Sequence, residues 1–299
     1  MKYVVLICAR DEEKYIHKGN LIMKYVVLIC ARDEEKYIAS CLASVYFQTC
    51  TPEMVVVVDD GSTDYTFARA MEFHGRMPLT ILRKEDRGFS AVGSSLLADT
   101  YNLGLDYLSS LEWDCLLILG ADTSIPPFYV ESLIWWMTPK RGVVSGRYPG
   151  IKKSCTSGTG RLIKREIMEE LGGRVPESYA WEGSIVHCAH YMGLETRSFN
   201  IPIYNLRPPK TRKRGYINTG RSMKERGYFW PHVIYASYTH ARKGRIWMAF
   251  QVLIGYLTYS PERPLPKWAQ HNYILQRESI KKKMVKLKTN PFLYLRRLF

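Results

Sequence analysis

Two short apolar runs constrain this chain more than any other feature. Val26–Cys30 and Met54–Val58 are unbroken and rich in β-branched residues. A strand with one wet face alternates apolar and polar side chains, so unbroken runs predict strands buried on both faces. Ile38–Gln48 between them has helical apolar spacing, which gives the order strand, helix, strand with short connections. Thr66–Phe73 reads as a second helix, Leu79–Arg83 as a third strand, Ala91–Leu108 as a third helical stretch and Cys115–Leu119 as a fourth strand. This alternation predicts a mostly parallel, doubly wound α/β sheet, whose ligands bind at the carboxyl ends of the strands. Polar clusters follow three of the strands: Ala31-Arg32-Asp33-Glu34-Glu35, Asp59–Asp64 and Gly120-Ala121-Asp122-Thr123. Acidic groups are therefore expected to converge on one rim.

Only one segment can fill the first strand, yet the sequence offers two. MKYVVLICARDEEKYI at residues 1–16 recurs unchanged at residues 23–38. The second copy runs directly into the helix pattern and the next strand, so Tyr25–Cys30 is expected to be the true first strand and residues 1–22 an extra arm. A solenoid needs at least about three imperfect repeats, so this is not one. The 299 residues leave room for a domain over residues 23–206 and an appendage over 207–299. A hydrophobic share of 46% and a charged share of 24% exclude wholesale disorder, and a mean hydropathy of −0.21 argues against many membrane spans. The 7 cysteines are scattered with no C-x-x-C pair, which suits a reducing compartment rather than a disulfide framework or zinc site.

The net charge of +15 is unevenly placed. Through Leu206 there are 22 Lys and Arg against 25 Asp and Glu, whereas from Arg207 onward there are 21 against 3. The last third also holds 15 of the 38 aromatics and ends in the basic stretch Lys281–Phe299. Cations interleaved with aromatics favour the headgroup layer of an anionic membrane. Helical stretches are read around Tyr228–Ala241 and Arg245–Tyr259. Ile246–Tyr259 is 14 residues long, short of the about 20 that a span requires. Arg10-Asp11-Glu12-Glu13 interrupts a six-residue apolar run, unlike a signal peptide. The expectation is a cytoplasmic, peripheral membrane protein.

The motifs, taken together, resemble glycosyltransferase family two, the inverting nucleotide-sugar enzymes of the GT-A fold. That family's pattern is an asparagine-glutamate-glutamate turn after the first strand, a helix with S-x-x-x-Q, and a strand closing in DDGS-x-D. Asp33-Glu34-Glu35, Ser44 with Gln48, and Asp59–Asp64 match it in order and spacing. The likeness continues through Asn102-Leu103-Gly104-Leu105, LILGADTSIPP and SGTGRLIKREIMEELGG, over about 180 residues. It implies a hexosyltransferase-like inverting enzyme on a doubly wound GT-A sheet with a basic, mainly helical extension. Carried over, Asp60 contacts the nucleoside, and Ala31, Arg32, Glu34, Asn102 and Ala121 bind the nucleotide sugar. Asp122 holds a divalent Mn2+ or Mg2+ as the last residue of the D-x-D position, where Gly120 replaces the first aspartate. Physically, a diphosphate beside an acidic rim calls for a hard cation that bridges phosphate and carboxylate oxygens.

Inversion needs a carboxylate to take the acceptor's proton. The family supplies it about eleven residues before a glycine, and counting back from Gly193 selects Glu182, with Gly158-Thr159-Gly160 resembling the acceptor-side loop. His187 and His190 read as ordinary helix residues rather than metal ligands. The implied partners are a nucleotide-diphosphate sugar, a glycan or lipid-linked acceptor and an anionic membrane surface, with no nucleic acid expected. Three rivals remain at this stage. A nucleic-acid-binding protein would use the basic tail, but no zinc-finger, KH or RRM pattern is present. A sugar nucleotidyltransferase would show a glycine-rich basic loop after the first strand, where this chain has ARDEE. A catalytically degenerate nucleotide-sugar binder is motivated by Gly120 and Glu182.

Overall fold

Apolar residues on both faces of one strand draw a helical layer onto each face, and β1 (Tyr25–Ala31) is that strand. The computed structural model describes residues 23–91, 94–151, 156, 158–179, 181–208, 216–261 and 264–289, the side chains of 283–289 excepted. The duplicated arm, residues 1–22, and the chain end, 290–299, lie outside the described residues. After β1 come α1 (Ile38–Tyr46), β2 (Met54–Asp59), α2 (Thr66–Met71), β3 (Leu79–Arg83), α3 (Leu96–Leu108) and β4 (Cys115–Gly120), in the order the sequence predicts. The helix expected from Ala91 begins only at Leu96. Next come β5 (Thr123–Ser124), α4 (Tyr129–Trp136), β6 (Arg141–Arg147), β7 (Arg161–Lys164), α5 (Arg165–Glu170), α6 (Trp181–Tyr191), β8 (Glu195–Pro202) and β9 (Tyr204–Asn205).

The seven-stranded sheet has the order β3-β2-β1-β4-β7-β6-β8, parallel except at β7, which runs against both of its neighbours. Register places Ala31 beside Asp59, Cys30 beside Gly120 and Asp59 beside Arg83, so the strand ends form one level rim. Tyr25, Val27 and Ile29 face α1 and α4, whereas Val26 and Leu28 face α3 and α6. Each such side chain is essentially inaccessible to water, and burial of this kind contributes about 1.5–3 kcal/mol per residue.

Two motifs of the sequence are explained by this packing. A Cβ at Gly104 would lie 2.3 Å from Leu28 Cδ1, so any larger residue would have to displace the Leu28 side chain where α3 presses onto β1. Gln48 Nε2 donates to the carbonyls of Ser44 and Pro126, both at 2.8 Å, while its Oε1 accepts from Val130 N at 3.0 Å. The S-x-x-x-Q motif thus ties the end of α1 to the start of α4.

The C-terminal region is helical: α7 (Tyr216–Glu225), α8 (Trp230–Arg242), α9 (Ile246–Thr258) and α10 (Lys267–Thr289). Met223, Val233 and Val252 form a small core between α7, α8 and α9. At the crossing of α7 and α9, a Cβ on Gly220 would sit 2.1 Å from the Val252 carbonyl oxygen, and one on Gly255 2.0 Å from that of Ile217. The two backbones are therefore in contact. Helix α10 lies on α6, where His187 stacks on Trp268 with ring centres 6.3 Å apart. No helix among the described residues is long and apolar enough to cross a membrane.

Candidate active site

The two loops that leave β1 and β2 are fastened to each other through side chains. Asp33 Oδ1 accepts from Thr63 N at 2.9 Å, and Ser62 Oγ accepts from Asp33 N at 3.1 Å. Thr66 Oγ1 accepts from Glu34 N at 2.6 Å, and Asp64 Oδ2 from Glu35 N at 3.2 Å. Asp33 takes a φ of 52°, a conformation Asp tolerates better than most residues. Gly61 has no alternative. Its φ is +75°, and a Cβ there would lie 2.6 Å from Asp86 Cα. Asp59 Oδ1 accepts from Ser62 N at 2.8 Å, so this first aspartate shapes the turn.

Asp60 is buried and faces cations. Its Oδ1 accepts from Thr100 Oγ1 at 2.7 Å and from Arg87, with Lys84 Nζ at 3.9 Å. Arg32 donates to the Asp60 carbonyl at 2.6 Å and to Asp86 Oδ1 at 2.6 Å. Ala31 and Ala121 are buried at the ends of β1 and β4.

The acidic rim closes around a residue that the sequence reading did not single out. β9 pairs with β5, Thr123 opposite Asn205, and Leu206 N donates to the Asp122 carbonyl at 2.8 Å. This ribbon delivers Arg207 to the site. Its Nε donates to Asp122 Oδ2 at 3.0 Å, its terminal nitrogen pairs with Glu34 Oε1, and its guanidinium lies 5.2 Å from the Tyr37 ring centre. Burial pushes the Glu34 carboxyl up to about 7, with the Asp122 charge adding to the rise and Arg207 opposing it. Glu34 Oε2 is buried without a hydrogen-bond partner.

Gly120 has a structural reason to be small. Thr159 Oγ1 accepts from Gly120 N at 2.7 Å, and a Cβ on Gly120 would meet that same oxygen at 3.3 Å. Thr159 also lies 3.2 Å from Thr123 Oγ1, so the Gly158–Gly160 loop is pinned beside Asp122. Glu182, exposed in the first turn of α6, sets its carboxylate against Gly158, where a Cβ would lie 3.2 Å from Oε2. Because α6 begins at Trp181, Glu182 is itself on the helix. The buried Arg161 holds this turn by donating to the Glu182 carbonyl at 2.9 Å.

Asn102 stands apart from the other expected site residues. It is buried, its Nδ2 donates to the Val175 carbonyl at 3.0 Å, and its Oδ1 accepts from Val175 N at 2.8 Å. Its amide is spent on joining α3 to the loop before α6. His187 packs by stacking on Trp268, and the exposed His190 lies 3.1 Å from Thr196 Oγ1.

A sequence profile for glycosyl transferase family 2 matches residues 26–198, more than half of the chain. No curated protein matches the sequence. Among solved structures, S. aureus TarS is similar at 18% identity with a TM-score of 0.53, over 68% of this chain and 40% of that one. This chain thus spans less than half the length of that protein. S. aureus TarS 1–349 in complex with UDP-GlcNAc gives 14% identity and a TM-score of 0.53, over 85% of this chain and 79% of that one. The mannosyltransferase PcManGT from Pyrobaculum calidifontis, in complex with GDP-Man and Mn2+, gives 19% identity and 0.52, over 91% and 81%. At these identities the likeness is one of fold.

Proposed function

This chain belongs to glycosyl transferase family 2, and from that premise we propose that it transfers a sugar, with inversion, from a nucleotide-diphosphate donor to an acceptor hydroxyl. The observation that carries the reading is the meeting of Glu34 and Asp122 on one guanidinium, beside Asp60, at the carboxyl ends of β1, β2 and β4. A diphosphate adds negative charge to a rim already rich in carboxylates. Arg87 pairs with Asp60, Lys84 lies 3.9 Å from it, and Arg207 pairs with both Glu34 and Asp122. A guanidinium binds phosphate and carboxylate in the same forked geometry, so Arg87 and Arg207 can exchange one for the other when donor arrives. The UDP-GlcNAc and GDP-Man complexes of the similar folds support this donor class.

Asp122 and Glu34 suit a divalent cation. Both are hard oxygen donors, they converge on one point of positive charge, and Glu34 Oε2 is buried and unpartnered. Among the described residues no three His, Cys, Asp or Glu side chains gather to hold an ion unaided, so its other ligands would be phosphate oxygens. Held there, Mn2+ or Mg2+ would neutralise the diphosphate as it leaves.

In this reading Glu182 is the general base. It is exposed, lies across the Gly158–Gly160 loop from Asp122, and is free to meet a hydroxyl. The acceptor is a glycan or a lipid-linked molecule, and the basic region from Arg207 docks the enzyme on the cytoplasmic face of an anionic membrane. Glu182→Gln keeps shape while removing the proton acceptor, so turnover should fall by about 10² to 10⁴ with donor affinity retained. NMR of the product should show the anomeric configuration inverted. Full activity in Glu182→Gln would remove this residue from the chemistry, and retention of configuration would remove the single displacement itself.

A further inference from the structure

Helix α9 presents a contradiction that water cannot resolve. Among its thirteen residues Gln251 and Thr258 are the polar ones, and a helix apolar on all sides is normally buried all round. Here only the side bearing Ala249, Val252 and Gly255 is covered. The opposite side carries Trp247 (70% exposed), Phe250 (54%), Ile254 (44%) and Leu257 (72%) at helical spacing. Helix α8 repeats the arrangement, with Val233 and Ser237 buried but Trp230, Ile234 and Tyr238 more than half exposed. The turn between the helices carries Arg242, Lys243 and Arg245, all exposed, and no Asp or Glu occurs between Glu225 and Glu262.

We infer that the outer face of the α8–α9 hairpin is a membrane-docking surface. It would lie flat in the headgroup layer of an anionic bilayer, with its apolar side chains among the acyl chains and its turn cations on lipid phosphates. This deepens the membrane reading above, moving the contact from the basic chain end to a folded surface. Length decides that the hairpin lies on the bilayer rather than through it, since α9 has 13 residues and reaches about 20 Å against an apolar core of about 30 Å. Tryptophan and tyrosine favour the interface, and Arg and Lys reach outward from it to phosphate. Charge decides between lipid and a second copy of the chain. The region from Arg207 carries 21 Lys and Arg against 3 Asp and Glu, so two such faces repel each other whereas an anionic bilayer attracts them.

The test is co-sedimentation of the full chain with vesicles of phosphatidylcholine alone or with one-third phosphatidylglycerol. Binding to the mixed vesicles should exceed binding to neutral ones by roughly tenfold or more, and should weaken with salt. Trp247→Ser combined with Phe250→Ser should lower it by roughly tenfold. Arg242→Gln with Lys243→Gln and Arg245→Gln should abolish the preference for the anionic lipid. Lys281→Gln with Lys282→Gln should change little, which separates the hairpin from the chain end. UDP and GDP binding measured on each variant reports the integrity of the fold. It also separates the two readings: a chain that sediments with vesicles but binds no nucleotide sinks the transferase assignment and leaves the docking surface standing. Vesicle binding that survives the Trp247/Phe250 change overturns the inference. So does a dimer, seen by light scattering, that the same change dissociates.

Discussion

A guanidinium between two carboxylates holds both only while each stays ionised and water stays out. Arg207 meets Glu34 and Asp122 this way under the Tyr37 ring. With Arg207→Ala, the half-buried Glu34 would face Asp122 with no counter-charge. Donor affinity measured without metal should then drop by roughly tenfold to a hundredfold, the scale of one charged hydrogen bond. Mn2+ affinity of the donor-free protein should rise, because the competing cation is gone. Arg207→Lys should recover only part of the donor affinity, since an ammonium lacks the fork. Calorimetry on the three proteins checks this, and equal donor affinities would discard Arg207 as a phosphate partner. Sequence alone could not find this residue. It lies 173 positions from Glu34 and 85 from Asp122, and the two-residue ribbon that brings it there leaves no periodicity to read. The rim positions of Asp60, Glu34 and Asp122 were legible because each follows a buried strand. Asn102 was legible as a motif but not as to what it binds, because its partner is the backbone of Val175.

At the scale of elements, β1, β2 and β4 could be read from the sequence because both of their faces are buried, and the edge strand β3 because it keeps the short apolar run Leu79–Leu82. β6 (RGVVSGR) and β7 (RLIK) could not, since glycine and arginine interrupt short apolar runs and their positions depend on antiparallel partners. Helix α10 absorbs part of the polybasic run that reads as a membrane-surface segment. Its docking on α6 has a pH signature. Burial, with Arg226 nearby, pushes His187 down to about 4 from an ordinary 6.5. Between these values the unfolded chain binds the extra proton, so this contribution to stability is present above pH 6.5 and is lost as pH falls toward 4. Thermal melts of the wild type should therefore lose roughly 3–6 °C more between pH 7 and 4.5 than those of His187→Gln. Parallel pH profiles for the two proteins would contradict the buried, neutral histidine.

Across the whole molecule, charge and fold divide at the same place, with the mostly parallel sheet before Arg207 and basic helices after it. The duplicated segment tests how self-sufficient the sheet is. β1 pairs along both edges, with β2 and with β4, so the slot for its sequence is filled once and offers no open edge. Deleting residues 1–22 should leave the melting temperature and donor affinity unchanged, and loss of folding would show that the first copy holds a place of its own. The contact between Gly220 and Gly255 matters at this scale too. Where two backbones touch, no side chain lies between them to yield, so α7 and α9 behave as one rigid lever. One arm of that lever is α7, and the other carries Phe250 and Leu257. A tilt imposed on the outer apolar face must therefore carry α7 with it as a unit.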